Sequence, residues 1–253
     1  MTVLILGGTA EARKLAAQLD DVVSSLAGRV ARPRLPAGEV RIGGFGGPDG
    51  LAHWLTERRV EAVIDATHPF AERISTSAAS ACDLCDVPLL RVERPGWEPR
   101  SGDDWHRVAN LPAAAALAPA LGHRALLTTG RQGLAAFADA PLWFLVRCVD
   151  PPEPPLPRDH DLVLDRGPYT LAGELALIDR QAIDLVITKD SGGDLTRAKL
   201  DAARRRGLPV IVVDRPPRPD VPTVATVAEA SAWVAARRVD ARRAAAVGDE
   251  PRL

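Results

Sequence analysis

Residues able to do chemistry gather where short apolar runs stop. Val3-Leu4-Ile5-Leu6 leads straight into Gly7-Gly8-Thr9-Ala10-Glu11-Ala12. Four apolar residues suit a parallel strand buried on both faces. Two glycines let the chain turn sharply and let something approach its backbone. Thr9 is placed to cap a helix running to Leu19, with Leu15, Ala16 and Leu19 at helical spacing. Strand, glycine turn and helix open a nucleotide-binding βαβ unit, whose helix start offers backbone N–H groups to a phosphate. The dinucleotide fingerprint G-x-G-x-x-G is incomplete, because Ala12 stands near its third glycine. Glu11 also brings a negative charge that a pyrophosphate would not welcome. A tight turn with no ligand is the bland alternative.

Three further stretches fall at strand ends. After Val22 to Leu26 the turn holds Ser24, Ser25 and Arg29 and no carboxylate. In doubly wound folds this turn meets the adenosine ribose, and Arg or Ser there suits a 2′-phosphate, so NADP fits better than NAD if a dinucleotide binds. A solvated loop arginine is the alternative for Arg29. Val40-Arg41-Ile42 runs into Gly43-Gly44-Phe45-Gly46-Gly47, a density of glycine that brings backbone close to something or lets it flex. Ala62 to Ala66 is a clear strand ending in Thr67-His68-Pro69, which puts Thr67 and His68 on the ligand-binding rim of an open α/β sheet. Cys82 and Cys85 form C-x-x-C without a second pair or a nearby histidine, and read as packing thiols, not as a metal or redox site.

The elements that must position these residues follow from length and pattern. The chain has 253 residues, 46% of them apolar, enough for one large α/β domain or two smaller ones. A net charge of −1 recruits neither nucleic acid nor an anionic membrane. No apolar run is long enough to span a bilayer, and the start lacks a signal-peptide pattern. Three cysteines argue against a disulfide scaffold, so the cytosol is the simplest compartment.

A helix is expected over 48–58 and another from Ala71 to about Ala81, then a strand in 88–95. A second series follows. Strands are expected over 105–108, 124–129, 143–149, 161–164, 185–188 and 210–213, with helices over 111–121, after Gly133, and over 170–180, 195–206 and 227–238. The two series repeat one another. Leu4-Ile5-Leu6-Gly7-Gly8 lies over Leu126-Leu127-Thr128-Thr129-Gly130, Val63-Ile64 over Val186-Ile187, and Pro88 to Pro95 over Pro209 to Pro216. Val108-Ala109-Asn110 likewise resembles Val224-Ala225-Thr226. The expectation is two similar domains, 1–100 and 101–239, with strand ends facing across a cleft, and a polar tail over 240–253. The second rim is the charged one, with Arg131, Arg166 and Lys189.

Taken in order, these motifs resemble the precorrin-6A reductase family of cobalamin biosynthesis. The resemblance rests on Leu6 to Ala12, Ser25-Leu26-Ala27-Gly28-Arg29, Gly43 to Gly47, Asp65 to Ala71, Arg91 to Pro95 with Trp97, Thr129-Gly130-Arg131-Gln132 and Thr188-Lys189-Asp190-Ser191-Gly192. It implies an NADPH-dependent reductase that delivers hydride to a ring double bond of a tetrapyrrole. It also implies two Rossmann-like domains with mainly parallel sheets, and allows a strand exchanged between them. Carried over, Gly8, Thr9 and Ala10 would face the cofactor phosphates, and Ser25 and Arg29 the 2′-phosphate, with Ser24 also among the cofactor-binding residues. Gly44, Phe45, Gly46, Thr67 and His68 would lie near the nicotinamide, with His68 a candidate proton donor. Arg94, Gly130, Arg131, Gln132, Lys189 and Asp190 are candidates for the substrate's carboxylates or the cofactor's polar edge. No metal is implied. The rival readings are a tetrapyrrole synthase or lyase without nicotinamide, and a nucleotide-sensing module.

Overall fold

The computed structural model describes residues 1–28 and 34–248, with side chains up to residue 240. The first series gives β1 (Val3–Leu6), α1 (Ala10–Ala16), β2 (Val22–Leu26), β3 (Glu39–Ile42), α2 (Pro48–Glu57), β4 (Ala62–Asp65), α3 (Glu72–Cys85) and β5 (Leu89–Val92). The second gives β6 (Asp104–Val108), α4 (Leu111–Leu117), β7 (Arg124–Leu127), β8 (Trp143–Cys148), β9 (Asp159–Leu164), α5 (Leu171–Gln181), β10 (Leu185–Lys189), α6 (Ala198–Arg206) and β11 (Pro209–Val213). A two-residue strand β12 (Thr223–Val224) and α7 (Val227–Gly248) complete the chain.

Two six-stranded sheets result, ordered β3-β2-β1-β4-β5-β12 and β9-β8-β7-β10-β11-β6, and every pairing is parallel. Each has the 3-2-1-4-5-6 order of doubly wound nucleotide-binding sheets. The sixth strand of each is exchanged. β6 follows β5 in sequence but pairs with β11, while β12 follows β11 and pairs with β5. The likeness of Val108 and Val224 in sequence is thus the likeness of two exchanged strands.

Buried runs explain the sheets. All of β1 is buried, and its alternate residues feed two cores. Val3 and Ile5 pack with Leu15 of α1 and with Ala230 and Val234 of α7. Leu4 and Leu6 pack with Leu51 and Leu55 of α2 and with Ala78 and Ala81 of α3. In the second sheet Leu126, Leu145, Val186 and Val212 share a core with Ile178, Leu200 and Trp97.

Several boundaries differ from the sequence expectations. The compact units are 1–94 with 217–253, and 95–216. A division at 100/101 with everything to 239 in the second domain is therefore corrected, because β12 and α7 complete the first sheet and its core. The last helix continues to Gly248, so residues 240–248 are helical and not a tail. The segment 131–137 after Gly130 is a 3₁₀-helix, and α3 extends through Cys85. There Cys82 is buried and its thiol is pushed up to about 12 by burial and by neighbouring Cys85 and Asp83, so it packs as an inert apolar group. No helix among the described residues is long and apolar enough to cross a membrane.

Candidate cofactor and substrate site

The turn after β1 is held by its threonine. The Thr9 hydroxyl caps α1 by accepting the Ala12 N–H at 3.1 Å, and donates to the Ala66 carbonyl at 2.7 Å. One buried side chain thus ties the glycine turn to the end of β4. Its hydroxyl is committed to the fold, so a phosphate at this turn would meet backbone N–H groups and not the Thr9 side chain. Gly8 has φ 111°, a region that favours glycine, and nothing lies within 4 Å of where a Cβ would stand. The charge of Glu11 is met by Arg94, whose Nη1 lies 2.9 Å from its carboxylate. Arg94, expected to bind substrate or cofactor, therefore also neutralises the one charge at this turn that would oppose a phosphate.

A small pocket opens beside this turn, lined by Gly7, Gly8, Arg13, Ser24, Leu26 and Arg34 among others. Strand alternation decides which serine reaches it. Ser24 pairs with Ile5 on the α1 face, whereas Ser25 pairs with Leu6 on the α2 and α3 face. Ser24 is only 2% exposed, and its Oγ has no hydrogen-bond partner among the described residues. Buried hydroxyls are rarely left so, since the orphaned group costs about 1–3 kcal/mol. Ser25 does not line this pocket; its carbonyl accepts the Gly7 N–H at 2.9 Å. Arg29 lies outside the described residues. Arg13 and Arg34 were not singled out from the sequence, because the loop before β3 has no pattern that places it beside α1.

The glycine stretch after β3 is a braced loop. Arg41 donates to the Gly43 and Gly44 carbonyls at 2.7 Å each and stacks 3.8 Å from the Phe45 ring centre. Phe45 meets Trp54 of α2 edge to face at 5.4 Å. A Cβ at Gly50 would sit 1.9 Å from the Phe45 carbonyl oxygen, so this glycine lets the loop lie on the first turn of α2.

A charged network underlies Thr67 and His68. Asp65, 2% exposed at the end of β4, accepts from the Thr67 N–H at 3.1 Å, the Thr67 hydroxyl at 2.6 Å and the Ser75 hydroxyl at 2.6 Å. Arg91 Nε lies 3.5 Å from the same carboxylate. Arg218, which follows the return of the chain to the first unit, donates to the Pro69 carbonyl at 2.8 Å and pairs with Glu93. Burial and the nearby Arg91 lower the Arg218 pKa, while Asp65 opposes that shift. Thr67 is thus oriented with its proton toward Asp65 and can only accept from a ligand. His68 is exposed; its Nδ1 accepts the Phe70 N–H at 3.2 Å, which leaves the proton of a neutral ring on Nε2. Asp65 and Arg91 carried the resemblance but were given no site role from the sequence, and Arg218 was not singled out, though a carboxylate ending an apolar strand was a visible signal.

The rim of the second unit is built differently. Asp190 is 4% exposed and accepts from the Trp97 N–H and from Arg107, both at 2.9 Å. Arg107 also bonds Asp214, and Arg215 Nε donates to the Asp190 carbonyl at 3.0 Å. Asp190 is therefore a bolt between strand ends, its carboxylate engaged within the fold. Lys189 beside it is half-buried, and burial lowers its pKa. Gly130 and Gln132 are exposed and Arg131 half-buried at the end of β7. Beneath this rim lies a buried cation cluster that the sequence did not reveal. Arg147 binds Glu174 through two hydrogen bonds of 2.6 and 3.2 Å and lies 4.0 Å over the Tyr169 ring. Lys199 donates to the Thr196 carbonyl at 2.7 Å and sits 4.7 Å over the Trp97 ring. Burial and Arg147 push its pKa down to about 7, with Glu174 opposing. No group of three or more His, Cys, Asp or Glu among the described residues is placed to hold a metal ion.

A family model described as precorrin-6x reductase CbiJ/CobK matches residues 2–235. The chain belongs to this family. It is 54% identical over 239 residues to a precorrin-6A reductase of Rhodococcus erythropolis, covering 92% of this chain and 96% of that one. It is 32% identical over 230 residues to a cobalt-precorrin-6A reductase of Salmonella typhimurium, covering 85% and 87%. A solved structure of CobK precorrin-6A reductase superposes with a TM-score of 0.87 at 45% identity, covering 93% of this chain and 96% of that chain.

Proposed function

We propose that this protein is a cytosolic, NADPH-dependent reductase of precorrin-6A in cobalamin biosynthesis, saturating one ring double bond to give dihydro-precorrin-6. Family membership supports the substrate class. One observation of this chain supports the cofactor: the buried, unpartnered Ser24 hydroxyl in a pocket between the glycine turn and two arginines. That set fits a nicotinamide dinucleotide, with the backbone around Gly8 and Ala10 for the phosphates and the end of β2 for the ribose. The bound cofactor would supply the hydride.

The chain's own residues would do the rest. The loop Gly43 to Gly47, braced by Arg41, would wall one side of the reacting ring. Thr67, held by Asp65, would accept one hydrogen bond from the cofactor or substrate. Saturating a conjugated double bond takes a proton as well as a hydride, and the imidazole of exposed His68 is the candidate donor on this rim. Arg131, Gln132 and Lys189 are candidates for the substrate's carboxylates, and a half-buried lysine binds a carboxylate more strongly than a solvated one. The deciding experiment is anaerobic incubation with precorrin-6A, following NADPH absorbance and product mass together. Loss of NADPH with a gain of two hydrogens in the tetrapyrrole is expected. NADPH stable in its presence, or a product formed without nicotinamide, would overturn the proposal and favour a synthase or lyase.

A further inference from the structure

We infer that Arg218 is a positioning residue: it holds the Pro69 carbonyl and through it fixes the turn that presents His68. The inference rests on the reading of His68 as proton donor and names what keeps that imidazole in place. The turn is held on two sides. On the strand side Thr67 is tied to Asp65 through its N–H and its hydroxyl. On the far side Pro69 is buried and, being proline, has no N–H to give. Its carbonyl is therefore its one backbone handle, and a buried carbonyl needs a donor. Arg218 Nη2 supplies it at 2.8 Å, from 149 residues along the chain.

Arg218 stands on a stiff and well-fastened stretch. In Pro217-Arg218-Pro219-Asp220-Val221-Pro222 each proline fixes its own φ and restricts the residue before it. The stretch is tied along β5: the Arg91 N–H donates to the Pro222 carbonyl and the Glu93 N–H to the Val224 carbonyl, both at 2.8 Å. Val221 packs against the core that contains Leu51, Leu55 and Leu89. The guanidinium uses two nitrogens in different directions, Nη1 toward the Glu93 carboxylate and Nη2 toward Pro69. It thus bridges the end of β5 to the His68 turn, with a planar fork that a lysine ammonium reproduces only in part. The turn itself closes tightly around Pro69, the His68 Nδ1 accepting the Phe70 N–H at 3.2 Å and the His68 carbonyl the Ala71 N–H at 2.8 Å. A shift of Pro69 therefore carries the imidazole with it, and a reacting group misplaced by about 1 Å loses much of its effect.

The test is steady-state reduction of precorrin-6A by NADPH with the full-length protein, comparing Arg218→Met, Arg218→Lys, His68→Gln and the double variant Arg218→Met with His68→Gln. Urea unfolding checks that each variant is folded, and if Arg218→Met does not fold, Arg218→Lys takes its place in the cycle. Arg218→Met should lower kcat by roughly 10- to 100-fold, the value of a well-placed general acid. It should leave the KM for NADPH within about threefold, because Thr67 keeps its ties to Asp65. Arg218→Lys should recover part of the lost rate, since its ammonium can still reach one of the two acceptors. The double variant should run within about threefold of His68→Gln alone, because a turn without its imidazole has nothing left to misplace. His68→Gln at the wild-type rate would sink the proton-donor reading itself. A slow His68→Gln, with Arg218→Met at the wild-type rate or with losses that multiply in full in the double variant, would overturn only the assignment to Arg218.

Discussion

Asp65→Asn removes one charge and barely changes shape, yet it should be among the most damaging substitutions in the first unit. Asp65 and Arg91 are 2% and 4% exposed, and the carboxylate takes three hydrogen bonds in addition to the arginine. An asparagine oxygen can still accept from Thr67. Its NH2 group, however, would face the Arg91 guanidinium donor to donor. Stranding a buried cation in this way costs about 3–5 kcal/mol, far more than one neutral hydrogen bond at about 1 kcal/mol. The expected loss in urea unfolding is therefore about 3 kcal/mol or more, with weakened NADPH binding because the Thr67-His68 turn loses its anchor. The double variant Asp65→Asn with Arg91→Met separates causes. If the stranded charge is the cost, the double variant should regain about 1–2 kcal/mol over Asp65→Asn alone. A loss below about 1 kcal/mol for the single variant, or strictly additive losses in the pair, would refute the argument.

Three other outcomes are expected. Gly50→Ala should cost about 1–3 kcal/mol and weaken NADPH, because its methyl would overlap the Phe45 carbonyl oxygen at 1.9 Å; unchanged melting and affinity would show that the loop yields freely. His68→Gln should cut the rate of reduction by roughly 10²–10⁴ with cofactor affinity kept, as for loss of a general acid; less than a tenfold fall assigns the proton to another donor. Lys199 has a folded pKa of about 7 against an ordinary value of 10.5. Between those values the unfolded chain binds the extra proton, so stability rises with pH, by up to about 1.4 kcal/mol per unit. Lys199→Met should abolish that rise between pH 7 and 9, and parallel wild-type and variant curves in urea unfolding would show that Lys199 keeps its proton.

Most strands, the glycine turns and the doubled plan were legible in the sequence. Parallel strands buried on both faces must be continuous apolar runs, and Val3 to Leu6, Ala62 to Asp65 and Leu185 to Thr188 have no other way to satisfy their side chains. Thr9 as a helix cap was equally local, because a cap bonds only a few residues ahead. Tertiary structure decided what depends on a partner distant in sequence. β12 is two residues long, too short to show a strand period; the sequence marked it only by its likeness to the segment at Val108, and the open edge of β5 makes it a strand. Adjacent serines at the end of β2 look equivalent in sequence, and register with β1 turns Ser24 toward the pocket and Ser25 away from it. Asp190 sits on a rim like a ligand-binding acid, but Trp97 and Arg107 consume it. Arg218 reaches the turn bearing His68 only because the last segment returns to the first sheet. Local chemistry writes strands and turns into the chain. The pairing of distant polar groups waits for the fold, because their desolvation is repaid only where the sheets bring them together.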